Sequence, residues 1–253
     1  MSAQTISLVA PAKLTVSLRV TGVRADGFHL IDAEMVTLDL ADVLEVDPQG
    51  DGLEIIGEFA GDLDVPGENL ANNLVSRALK LAGRKAHVTI TKNIPSGGGL
   101  GGGSADAAAI LRWAGFTDLV AAAKLGADIA FCVVGGRARV SGIGEVVNPL
   151  KKVAREITLV VPPFRVSTPA VYRAFDQLTD FGKLRLKNAG VNDLELAAIK
   201  VEPQLATWKE KIAQACGVEP TLAGSGSTWW LDGKYEDLTS QLADATVICT
   251  QTN

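Results

Sequence analysis

Six of the eleven residues in Pro95-Ser96-Gly97-Gly98-Gly99-Leu100-Gly101-Gly102-Gly103-Ser104-Ala105 are glycine. Glycine costs conformational entropy on folding, so such a cluster marks backbone that must approach something closely. An alternating stretch from His87 to Ile94 reads as a strand leading into it. An alanine-rich helix follows, with Ser104 as its expected N-cap and Gly115 as its stop. Backbone N–H groups that converge beside a helix N-terminus form a seat for phosphate. Two common versions of that seat do not fit. A P-loop requires lysine between the last glycine and the hydroxyl residue, and Gly103-Ser104 has none. Gly97, Gly99 and Gly102 satisfy G-x-G-x-x-G, but a dinucleotide fold then needs a second parallel strand ending in an acid. The sequence after the helix, GFTDLVAAAKLGAD, reads as helical instead. A flexible linker would have no use for a strand before and a capped helix after. The loop reads as a phosphate site of another kind.

The elements that must position this loop are legible on either side. Leu8, Ala10, Ala12, Leu14, Val16, Leu18 and Val20 alternate with more polar residues, which predicts a strand with one face in the core and the other toward solvent or a cleft. Asp26-Gly27 marks a turn, and Glu34 to Val46 reads as one or two further strands. Glu68 to Ala82 has helical spacing with Gly83 as its stop. From Arg155 onward an apolar strand, ITLVVPP, restarts the pattern, followed by helices and a second glycine-serine loop. Asn148-Pro149 and Lys151-Lys152 place the expected boundary so that one domain covers 1–154 and the other 155–253.

Composition bounds the partners. The 253 residues carry a net charge of −5, which argues against nucleic acid or an anionic membrane as a partner, so an anion must be held locally. Cys132, Cys216 and Cys249 are odd in number and widely spaced, as expected of reduced, buried thiols in a cytoplasmic protein. The first residues lack the basic segment of a secretion signal, and no apolar run is long enough to span a membrane.

P-x-x-x-G-L-G-x-x-S before an alanine-rich helix resembles the phosphate loop of the GHMP kinases. PAKLTVSL, RADGFH, ENLANNL, LGADIAFCVVGGRARVSGIGE, VSTPAVY, NDLE and LAGSGST agree with that family in order and spacing, over nearly the whole chain. RADGFH and the extended loop IPSGGGLGGGSADAA resemble the branch whose substrate is a cytidine diphosphate-linked methylerythritol. The resemblance implies an α+β two-domain GHMP kinase fold: an N-terminal domain like ribosomal protein S5 domain 2 and a C-terminal ferredoxin-like domain. It implies ATP with Mg2+ as cofactors, no fixed metal ligands being assignable. It also implies transfer to the 2-hydroxyl of that small molecule, in the non-mevalonate route to isoprenoid precursors. A monomer or weak homodimer is expected.

Residue by residue, the resemblance assigns the loop from Pro95 to Ala105 to the phosphates of ATP and Asp128 to the role of general base or orienting group. Local sequence alone would read Asp128 as the cap of the apolar helix after it. Lys13, locally a solvated strand lysine, would stand beside Asp128 and stabilise its charge. Phe28 and Tyr172 would sandwich the cytosine ring while His29 hydrogen-bonds its edge; locally, Phe28-His29 is an apolar residue and a polar tip at a hairpin turn. The glycines of Leu222 to Thr228 would let that loop approach the phosphate loop; locally they form a turn between a helix and the strand TWWLDG. Three departures from the family pattern stand out. Thr15 replaces asparagine, Ala130 replaces proline, and the segment before Asp128 is short. Two rival readings follow: a paralogous kinase of another alcohol, and a nucleotide-binding relative without catalysis.

Overall fold

The structure, a computed structural model, describes residues 5–60, 72–180 and 190–253. Its first half is organised by one long antiparallel hairpin. Strand β1 (Ile6–Val23) pairs with β2 (His29–Asp47) from Ile6 opposite Val46 to Val23 opposite His29. The alternation of β1 sends Ala10, Ala12, Leu14 and Leu18 into the core. Its register shifts between Pro11 and Lys13, where a proline cannot donate to the ladder. There the Lys13 N–H donates to the Leu100 carbonyl of the glycine loop, at 3.0 Å.

Strand β2 is a single element that serves three neighbours. Besides β1, its C-terminal part pairs with β4 (His87–Thr91) and its N-terminal part with β5 (Arg137–Gly142). Strand β3 (Gly52–Ile56) runs parallel to β4, and β6 (Val146–Pro149) closes the other edge. Three of the helices that accompany this sheet are α1 (Leu74–Leu81), α2 (Gly102–Trp113) and α4 (Ile129–Val134); α3 (Leu119–Leu125) bridges α2 to α4. Helix α2 is buried from Ala105 through Leu111, and its alanines admit close neighbours on several sides.

The expected helix from Glu68 is described from Leu74, with the Asn73 side chain accepting from Val75 N at 2.8 Å; residues 68–71 lie outside the described residues. Ser104 is not the N-cap of α2. The cap lies three residues earlier, at Gly101 in the left-handed region, so Ser104 already stands in the first turn. The glycines could supply that conformation where no side-chain cap was needed. Of the three thiols, all free, only Cys132 is buried; Cys216 and Cys249 are partly exposed.

The second half forms a four-stranded antiparallel sheet. Its strands are β7 (Glu156–Val161), β8 (Thr221–Leu222), β9 (Trp229–Asp232) and β10 (Thr246–Gln251), in the order β10-β7-β9-β8. With helices α5 (Thr168–Thr179), α6 (Glu195–Val201), α7 (Gln204–Cys216) and α8 (Leu238–Gln241) between them, the order is that of a ferredoxin-like unit. The apolar run of β7 is explained by burial of every residue from Ile157 to Val161. Leu14, Leu38, Leu100, Leu159 and Trp230 form an apolar cluster that ties the hairpin and the glycine loop to this second sheet.

Candidate active site

The loop from Pro95 to Ala105 leaves the end of β4, crosses β1 and enters α2. Gly101, at φ +71°, lies so close to β1 that a Cβ there would stand 2.8 Å from Lys13 Cγ. The Lys13 side chain therefore runs along the rim of the loop, only 5% exposed, rather than into solvent. Its ammonium lies 3.2 Å from Asp128 Oδ2 and donates to Thr15 Oγ1, also at 3.2 Å. Asp128 does occupy the position before α4, yet its side chain makes no capping bond there. The carboxylate turns instead toward Lys13, about a third exposed and open to the cleft. Thr15, a departure from the family pattern, thus has a place as a partner of Lys13. Ala130 packs fully buried in the first turn of α4, and the short segment before Asp128 is the single helix α3, capped by the Asp118 side chain.

Beneath the loop lies a second charged group that sequence reading did not single out. Lys92, at the end of β4, pairs with Asp42 of β2 and with Asp106 of α2, the latter at 2.8 Å. The other Asp42 oxygen accepts the N–H groups of Asn93 at 2.6 Å and Ile94 at 2.8 Å. The strand before the loop and the helix after it are stapled together by these contacts. Burial pushes the Asp106 carboxyl up to about 7; Lys92 pulls it down and the nearby Asp42 charge adds to the rise. Asp42 and Asp106 together hold the Lys92 ammonium above its usual value despite the opposing effect of burial. The loop borders a cavity of 290 Å³ whose far wall includes Ile55, Asn73, Leu74 and Ile90.

The late glycine-serine loop does meet the phosphate loop. Thr228 N–H donates to the Gly98 carbonyl at 3.2 Å. Gly99, at φ +80°, faces it so closely that a Cβ would stand 2.7 Å from the Gly226 carbonyl oxygen. Asn192, buried in the NDLE segment, braces this loop by donating to the carbonyls of Leu222 at 2.9 Å and Gly224 at 2.7 Å.

At the tip of the hairpin, Phe28 and His29 part company. Phe28 is 57% exposed with the Arg24 guanidinium 5.7 Å from its ring centre. His29 turns inward, its ring 4.6 Å from that of Tyr172 and tilted by 33°. Tyr172 belongs to α5, and burial, with the Asp128 charge second, pushes its hydroxyl up to about 12. His29 and Tyr172 are thus brought together near Asp128, while Phe28 stands outside at the turn. His29 Nε2 also lies 2.7 Å from Asp176 Oδ1, one turn after Tyr172.

What a site of this build can do is hold an anionic chain over the loop and present an ammonium–carboxylate pair to a neighbouring hydroxyl. Residues 69–136 match the model of the GHMP kinases N terminal domain. A 4-diphosphocytidyl-2-C-methyl-D-erythritol kinase of Paracoccus denitrificans (strain Pd 1222) is 39% identical over 233 residues, covering 87% of this chain and 84% of its own. The enzyme of the same name from Carboxydothermus hydrogenoformans is 35% identical, covering 87% and 85%. A crystal structure of 4-(cytidine 5'-diphospho)-2C-methyl-D-erythritol kinase superposes with a TM-score of 0.74 at 29% identity, over 98% of this chain and 99% of the other. The mevalonate kinase of Methanococcus jannaschii shares the fold at a TM-score of 0.61 and 14% identity, over the whole of both chains.

Proposed function

The chain belongs to the 4-diphosphocytidyl-2-C-methyl-D-erythritol kinases of the GHMP kinase family, and from that premise we propose that it transfers the terminal phosphoryl group of ATP to the 2-hydroxyl of the cytidine diphosphate-linked methylerythritol. It is a phosphotransferase with an alcohol as acceptor. The observation that carries the assignment of roles is the Lys13–Asp128 pair at 3.2 Å on the rim of the glycine loop. Phosphoryl transfer asks for positioned phosphates and an oriented nucleophile rather than covalent help from the protein. The loop from Pro95 to Ala105 wraps the phosphates with backbone N–H groups, and the nucleoside lies in the adjoining cavity against Leu74 and Ile90. Asp128 accepts the hydrogen of the attacking hydroxyl. Lys13 stands where charge develops as the phosphoryl group moves, and Thr15 keeps its ammonium in place.

Magnesium fits this site only as a companion of the nucleotide. No three His, Cys, Asp or Glu side chains converge on a metal position among the described residues. Magnesium is commonly carried by substrate phosphates and water with few protein ligands, and its chemistry there is to neutralise phosphate charge. The cytosine is read by His29 with Tyr172 as one stacking plate and Phe28, swung in from its turn, as the other. Residues 1–154 and 155–253 act as two domains with the site between their sheets. No described helix is long and apolar enough to cross a membrane. The test is ATP turnover with and without the cytidylyl alcohol. Turnover that depends on it supports the assignment; turnover only with another alcohol, or none with any, favours one of the rivals.

A further inference from the structure

The contact between His29 and Asp176 has no part in the roles assigned so far. His29 is on β2 at the hairpin tip and Asp176 is on α5, so the pair spans the two halves of the molecule. Both side chains are largely buried, at 12% and 18% exposure. A carboxylate can only accept, so the hydrogen in the 2.7 Å contact belongs to His29 Nε2. In a neutral imidazole one nitrogen donates and the other accepts, and the partner of the first decides the state of the second. Tyr172 packs beside the same histidine, its ring centre 4.6 Å from that of the imidazole.

We propose that Asp176 is a positioning residue that fixes the proton of His29 on Nε2, so that Nδ1 presents a lone pair and selects a pyrimidine bearing an amino group over one bearing a carbonyl. The inference rests on the reading of His29 as the group that recognises the base. Cytosine offers an amino donor at its fourth position, which a lone pair accepts. Uracil offers a carbonyl oxygen there, and two acceptors face to face repel. Without Asp176 the ring can take the other tautomer, whose Nδ1–H donates to the uracil carbonyl. Asp176 touches neither base nor reacting atoms on this account. It sets the sign of the hydrogen bond that His29 makes.

Asp176→Asn separates these roles, because an amide fills the same space and can either accept from or donate to the ring nitrogen. The wild-type chain has two histidines, His29 and His87, so His87→Gln leaves one imidazole to observe by nitrogen NMR. In that background the neutral ring is expected to show protonation at Nε2 alone, and a mixture of tautomers after Asp176→Asn. In the enzyme with His87 intact, Asp176→Asn is expected to lower the preference for the cytidylyl over the uridylyl substrate by about tenfold through KM, with kcat at saturation little changed. Asp176→Ser, which is too short to reach the ring, gives the same direction should the amide variant fold poorly. If Asp176→Asn keeps both the tautomer and the preference while His29→Ala loses the preference, the inference fails and the base-reading role of His29 stands. If His29→Ala also keeps the preference, the base-reading role itself falls.

Discussion

The Lys13 ammonium lies 3.2 Å from the Asp128 carboxylate, although the two residues come from the first strand and from the turn before α4. Asp128 forgoes the capping bond that its position offers and spends its side chain on that contact. Removing the charge of Asp128 while keeping its shape should therefore strike the chemical step. Asp128→Asn is expected to lower kcat by about 10²–10⁴ with ATP affinity little changed. Lys13→Met, which keeps the length of the stem, is expected to behave alike. Steady-state kinetics over a range of ATP concentrations check both; near-normal kcat in the two variants would remove the pair from catalysis.

Glycines of the loop differ in what a side chain would meet. At Gly101 even one methyl group would stand 2.8 Å from Lys13 Cγ, at a backbone angle that favours glycine; at Gly103 it would meet only Leu74 Cδ1, at 3.6 Å. Gly101→Ala is expected to lose both nucleotide binding and kcat, since it displaces the loop and the lysine together. Gly103→Ala should keep the fold and bind within about tenfold of wild type. Calorimetric titration with ATP decides. Equal affinity in Gly101→Ala and wild type would reduce the loop to a linker.

The Lys92 cluster gives stability a pH dependence with a definite sign. Burial raises the Asp106 carboxyl from the ordinary carboxylate range to about 7, so the folded chain keeps a proton that the unfolded chain releases. Folding is then favoured at the acid end and loses this contribution as pH rises from about 4 toward 7. Denaturant unfolding of wild type and Asp106→Asn isolates the effect. The unfolding free energy of the variant minus that of wild type should rise between pH 5 and 7 and level off above. A difference that stays flat would show that Asp106 is ionised throughout.

Much of this was legible in the residues, and the gaps have physical causes. Alternation in β1 and the glycine run announced the strand, the loop and the buried helix, because each is a local pattern of burial or backbone freedom. The start of α2 is not legible in the sequence, since a glycine can cap a helix through its backbone angle with no side chain to advertise it. Lys13 looked like a solvated strand lysine because nothing local shows that a loop far along the chain will cover it. Asp42, Lys92, Asp106 and Asp176 carry no local sign of their role for the same reason. Their partners lie on other elements, so only the fold makes them neighbours.

Substrate identity is tested most directly by the rate of ATP-dependent phosphorylation of three alcohols by the wild-type chain: the cytidine diphosphate-linked methylerythritol, its uridine counterpart and free methylerythritol phosphate. A buried donor or acceptor left unmet costs about 1–3 kcal/mol, so the uridine compound should fall behind by about 10- to 100-fold in kcat/KM. The free sugar phosphate, with no base to stack or read, should fall further. Equal rates on the cytidine compound and the free sugar phosphate would contradict the assignment and leave a GHMP kinase of some other alcohol.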